Sequence, residues 1–117
     1  MPVRTTWVVV ADPTRAVVYA ITKGMARLRE LETLEPAPGA HPDGPGAGFA
    51  ADIGWHLERA LEGGRLDELV LVASPAFLVL LRAQLSGPLR AALVGEIDGG
   101  RLGPDGDTLQ AAVLKIL

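Results

Sequence analysis

Three strand-like runs in this chain each end on a polar residue able to do chemistry. Asp12 follows Trp7-Val8-Val9-Val10-Ala11, Ser74 follows Leu69-Val70-Leu71-Val72-Ala73, and Asp98 closes the run that begins at Leu93. If the runs are strands, ligands favour the crevice beyond their carboxyl ends, where the strand order reverses. Ser74-Pro75 also reads as a helix start, with Ser as N-cap and Pro in the first turn. Its free N–H groups and positive dipole suit an anion. Arg15 joins this group if the turn after Asp12 brings it back. The plainer alternative is that Asp12 caps a turn, Ser74 caps a helix and Asp98 ends a strand. Asp12 is also a candidate ligand of a two-metal hydrolase, in which several carboxylates converge on the ions that stabilise the attacking and leaving oxygens. Ser74 then occupies a place where a carboxylate is wanted, and Glu58 and Glu62 fall on the polar side of their helix. No metal set is assigned, no catalytic residue is named and no cofactor is expected.

Other candidates lie on one helix, expected from about Phe49 to Glu62. Phe49, Ala50, Ile53, Leu57, Ala60 and Leu61 share its apolar face. Trp55 falls instead among Asp52, Arg59 and Glu62, and a tryptophan on a polar helix face is a candidate interface anchor. Trp55 and Arg59 are therefore the interface candidates, with a homodimer as the simplest form of such a contact. The alternative is that another segment folds over the ring. His56 sits at the edge of the apolar stripe and is expected as a half-buried, backbone-bonded imidazole. Gly44-Pro45-Gly46-Ala47-Gly48 lacks the Lys-Ser/Thr end of a phosphate loop and does not directly follow a strand.

The elements that must position these residues follow from pattern. Trp7–Ala11 and Leu69–Ala73 are continuous apolar runs of the kind buried on both faces of a sheet. Asp12-Pro13-Thr14 supplies turn chemistry before the β-branched run Arg15–Ile21, so the two form a hairpin. Met25, Leu28, Leu31 and Leu34 recur every three residues, which by periodicity alone favours a short helix, whereas the short connection before them suits a third strand. Residues 35–48 contain four Pro and four Gly and read as a long flexible loop. Gly63-Gly64 stops the helix that follows. Ser74-Pro75 opens a helix running to Leu85, and Ser86-Gly87-Pro88 opens a short one. Leu93–Asp98 reads as the last strand and Asp107–Leu117 as a terminal helix.

Composition bounds the class. The 117 residues suit one domain spanning 1–117, and 49% apolar content supplies its core from aliphatic side chains, aromatics being only 4%. With no cysteine there is no disulfide, thiolate site or cysteine nucleophile. A net charge of −3 disfavours general nucleic-acid binding, and no DNA partner is expected. No apolar run approaches the ~20 residues of a membrane span, so a cytoplasmic chain without a membrane partner is expected.

From Leu66-Asp67-Glu68-Leu69-Val70-Leu71-Val72-Ala73-Ser74-Pro75-Ala76-Phe77-Leu78, through Leu80-Leu81-Arg82 and Leu89-Arg90, to Glu96-Ile97-Asp98, the chain is similar to the bacterial host-attachment protein family. Val10-Ala11-Asp12 with Arg15-Ala16 also resembles that family's opening hairpin. Such proteins resemble the middle domain of eukaryotic peptide-chain release factors and of archaeal Pelota. The resemblance implies a strand within residues 25–34. With it, a right-handed crossover places the fourth strand beside the first. The expected fold is α/β and ribonuclease-H-like: a mixed five-stranded sheet in the order 3-2-1-4-5 with helices on both faces.

The same resemblance implies a non-catalytic binding module connected with bacterial attachment to host cells, its partner a protein or a second copy. A translation-associated factor touching ribosome or tRNA is the alternative, and a degenerate metal-dependent hydrolase a further one. The release-factor domain carries a Gly-Gly-Gln tripeptide that this chain lacks, its only glutamines being Gln84 and Gln110. Ser74 and Ala76 stand where the family pattern has Pro and a basic residue, and Gly99-Gly100 replaces a charged pair.

Overall fold

A computed structural model describes residues 4–22, 28–36, 47–99 and 106–116. Its strands are β1 (Thr5–Asp12), β2 (Arg15–Thr22), β3 (Arg29–Leu34), β4 (Glu68–Ala73) and β5 (Leu93–Asp98). Its helices are α1 (Ala47–Glu62), α2 (Pro75–Ala83), α3 (Gly87–Ala92) and α4 (Gly106–Ile116). The strands form one sheet in the order β3-β2-β1-β4-β5. β1–β2 and β2–β3 are antiparallel, while β1–β4 and β4–β5 are parallel. This is the expected α/β layout. Among the described residues, no helix is long and apolar enough to cross a membrane.

The central strands read as unbroken apolar runs because both their faces are covered. Trp7, Val9 and Ala11 of β1 and Leu69, Leu71 and Ala73 of β4 pack with α1, α2 and α3. Val8, Val70 and Val72 point the other way, into a smaller cluster with Leu109 and Val113 of α4. Burying each such aliphatic side chain contributes about 1.5–3 kcal/mol. Phe49 of α1 stacks on Phe77 of α2 with ring centroids 6.5 Å apart. A Cβ on Gly54 would meet the Cβ and carbonyl oxygen of Gln84 at 3.0 Å, so glycine lets α1 pass close to the end of α2.

Hydrogen bonds set the register between the two halves of the sheet. Thr5 N–H donates to Asp67 Oδ2 at 2.8 Å, and Asp67 N–H donates back to Thr5 O at 2.9 Å. Arg4 pairs with Glu68 beside them at 3.2 Å. α1 ends as its glycines require. Arg65 N–H reaches Ala60 O at 2.9 Å and Gly64 N–H reaches Leu61 O at 3.1 Å, with Gly64 left-handed at φ 72°. That is the Schellman arrangement, in which an L side chain at the left-handed position is strained.

Periodicity alone misleads in residues 25–34. The described part, Leu28 onward, enters β3, and residues 25–27 lie outside the described residues. Leu28 and Leu34, six residues apart, would share a face in a regular strand, but the extra residue at a bulge reverses the alternation, so Leu28 packs with the α4 cluster and Leu34 with the α1 cluster. Leu31 falls at the bulge opposite Val18/Tyr19 and is 37% exposed. Of the expected 35–48 loop, residues 37–46 lie outside the described residues, and 47–48 already belong to α1. α2 stops at Ala83 rather than Leu85, its cap Gln84 donating its N–H to Leu81 and Arg82 carbonyls.

Gly64→Ala is expected to lower stability by about 1 kcal/mol. Gly87, in the first turn of α3 with open space around its Cα, is the contrasting site: Gly87→Ala should be neutral or slightly stabilising. Urea denaturation of the two variants checks both signs.

Candidate functional site

The hairpin turn brings Arg15 back beside Asp12, the two being register partners in β1–β2. The parallel pairing of β1 with β4 then sets Ser74 next to them. These three residues border a cleft of about 510 Å³ at the reversal point of the sheet, with Val10, Val17 and Val72 as its apolar lining. Asp98 ends β5 opposite Ala73. Gly99 borders the cleft, and a Cβ there would lie 3.5 Å from the Ala73 backbone.

The polar atoms at this cleft have local work. Asp12 Oδ1 accepts from Thr14 N at 2.7 Å, Thr14 Oγ1 at 2.6 Å and Arg15 N at 2.9 Å. These bonds close the turn that Pro13 opens, as an aspartate in an Asx-turn does. The Thr14 hydroxyl above all, helped by the backbone amides of Thr14 and Arg15 and by the Arg15 charge, holds the Asp12 carboxyl below its ordinary value, although burial opposes it. Ser74 Oγ accepts from Phe77 N at 3.3 Å and caps α2. Among the described residues, no three His, Asp or Glu side chains converge as a metal set.

The second candidate group is on α1. Trp55 is 62% exposed, and the Arg59 guanidinium carbon sits 4.9 Å above its ring centroid, a cation–π contact one helical turn long. Ile53, Leu57 and Ala60, on the opposite side of the same helix, are buried. The expected backbone bond of His56 is replaced by a side-chain partner: Nε2 meets Glu32 Oε1 of β3, both groups about one-third exposed. Sequence periodicity could not place Glu32 there, because it left the strand that carries it ambiguous. A further pair also escaped the sequence analysis. Arg82 makes a two-pronged bond to Glu96, Nε to Oε2 and Nη2 to Oε1, both 2.8 Å, joining α2 to β5. Arg90 donates to the Leu85 and Arg82 carbonyls, closing the α2–α3 corner.

A family model described as "Protein required for attachment to host cells" matches residues 39–113. The chain belongs to this host-attachment family. The matched stretch carries α1 with Trp55 and Arg59, Ser74, and the Arg82–Glu96 pair. No curated protein matches the chain. Solved structures similar to it include an archaeal protein, with TM-score 0.62 and 22% identity over 95% of this chain and 33% of the other. Another is the archaeal translation termination factor, with TM-score 0.57 and 16% identity over 96% of this chain and 39% of that one. The chain thus spans well under half the length of either, and at these identities the likeness is one of fold. That fold is the release-factor-like one the host-attachment resemblance implies.

Asp12 is stabilising when ionised, because its folded-state pKa is depressed. Its contribution is therefore complete above the ordinary carboxylate range and disappears as pH falls through the lowered value. Asp12→Ala should cost roughly 0.5–1 kcal/mol at neutral pH, small because the carboxylate is largely exposed. Thermal melts of both proteins from neutral to strongly acid pH should converge.

Proposed function

We propose that this chain is a non-catalytic binding module serving attachment to host cells, and that it acts by docking a protein on the outer face of α1. One observation carries this: Trp55, the largest side chain type available, is exposed on a well-packed helix and steadied by Arg59. Tryptophan and arginine are the residue types most enriched where truncation costs binding energy. The ring is held rather than free, so little conformational entropy is lost when a partner covers it. The cleft supports the same conclusion, since Asp12 and Ser74 use their polar atoms to hold a turn and a helix start. Membership of the host-attachment family supports a role in attachment.

The likeness to an archaeal translation termination factor favours one other assignment, binding to ribosome or tRNA. Against it stand the missing Gly-Gly-Gln and the net charge of −3. Phosphate contacts weaken steeply with salt. Co-sedimentation with ribosomal particles at low salt, lost at high salt, would favour that assignment over the one proposed.

Trp55→Ala should leave the melting temperature nearly unchanged, because the ring is exposed. In a strain lacking the gene, the variant should fail to restore adherence to host cells that the wild-type protein restores. Restoration equal to wild type by a folded Trp55→Ala protein would refute the docking role of this face.

A further inference from the structure

The two edges of the sheet are held differently. At one, α2 grips β5 through the two-pronged Arg82–Glu96 bond. Ile116 of α4 also lies so close over Gly95 that a Cβ there would meet it at 2.8 Å. At the other edge, β3 has four of its six residues exposed and none buried. Its ladder to β2 is interrupted at Leu31, the extra residue of the bulge opposite Val18/Tyr19. Leu34 is the β3 side chain that packs on the core. Among the described residues, β3 has one side-chain hydrogen bond to another element, Glu32 to His56 of α1.

We propose that β3 is a guard strand that opens on its own, that the Glu32–His56 contact is its clasp, and that opening bares the edge of β2. What β3 covers explains the need for a guard. β2 is eight residues long and pairs with β1 in unbroken register. It carries Val17, Val18, Tyr19 and Ile21, residue types enriched in strands. Left bare, an edge of this kind is a template for any further strand. β3 is built the opposite way. It is short, bulged and charged at Arg29, Glu30 and Glu32, which are the features that blunt an edge. Opening removes little apolar surface from the core, and segments with few buried contacts are the ones that open below the global unfolding free energy. The inference stands independently of the docking assignment above.

Amide hydrogen exchange of the whole chain, followed by NMR in urea kept below the unfolding transition, tests this. Amides that bond β3 to β2 should exchange faster than those of β1 and β4. Their rates should also rise less steeply with urea, because less surface is exposed in the opening. Glu32→Ala and His56→Ala, each confirmed as folded by circular dichroism, should speed exchange in β3 about three- to tenfold, the weight of one hydrogen bond. The double variant should exchange no faster than the quicker single one, because both substitutions remove the same contact. Wild-type β3 amides that share the rate and the urea dependence of β1 and β4 overturn the separate opening, whether or not any variant folds. Single substitutions without effect, or effects that multiply in the double variant, overturn the clasp.

Discussion

The parallel pairing of β1 with β4 is the constraint on which the molecule depends. It joins an antiparallel hairpin half to a parallel half, and no short turn can impose that junction. Two features set it. The Thr5–Asp67 exchange fixes where the strands start, and continuous apolar side chains on both faces make a slip in register costly. Once Val10 lies opposite Val72, the ends of both strands arrive together. Asp12, Arg15 and Ser74 meet there although about sixty residues separate them along the chain.

That meeting does not make a reaction centre. Each group answers a local need of the backbone first. Asp12 closes a turn whose amides would otherwise lack acceptors, and Ser74 relieves the orphan N–H groups of α2. The stretch most similar to the host-attachment family behaves alike: Arg82 grips Glu96, and Arg90 holds the carbonyls of a helix corner. These residues hold the scaffold together. Trp55 is different, because its exposure satisfies no structural requirement of α1.

Much of this was legible in the sequence where a signal is local and redundant. Trp7–Ala11 and Leu69–Ala73 announce doubly covered strands, Ser74-Pro75 and Ser86-Gly87-Pro88 announce helix starts, and Gly63-Gly64 a helix end. The third strand was less so, because Leu28, Leu31 and Leu34 mimic a helical step and a bulge breaks the alternation; the family resemblance was the main reason to read it as a strand. The grouping of Asp12, Arg15 and Ser74 followed from topology, whereas their engagement by Thr14 and Phe77 amides depends on atomic geometry. The Glu32–His56 and Arg82–Glu96 pairs join residues from different elements, and pairings of that kind leave no periodic trace.

The two faces of the sheet are served unequally. α1, α2 and α3, interleaved with the strands along the chain, cover one face between them. Over the other lies α4, whose Leu109 and Val113 pack on Val8, Val70 and Val72. One face thus rests on a single terminal helix: detaching α4 would uncover those valines and leave a sheet with one finished side and one greasy side.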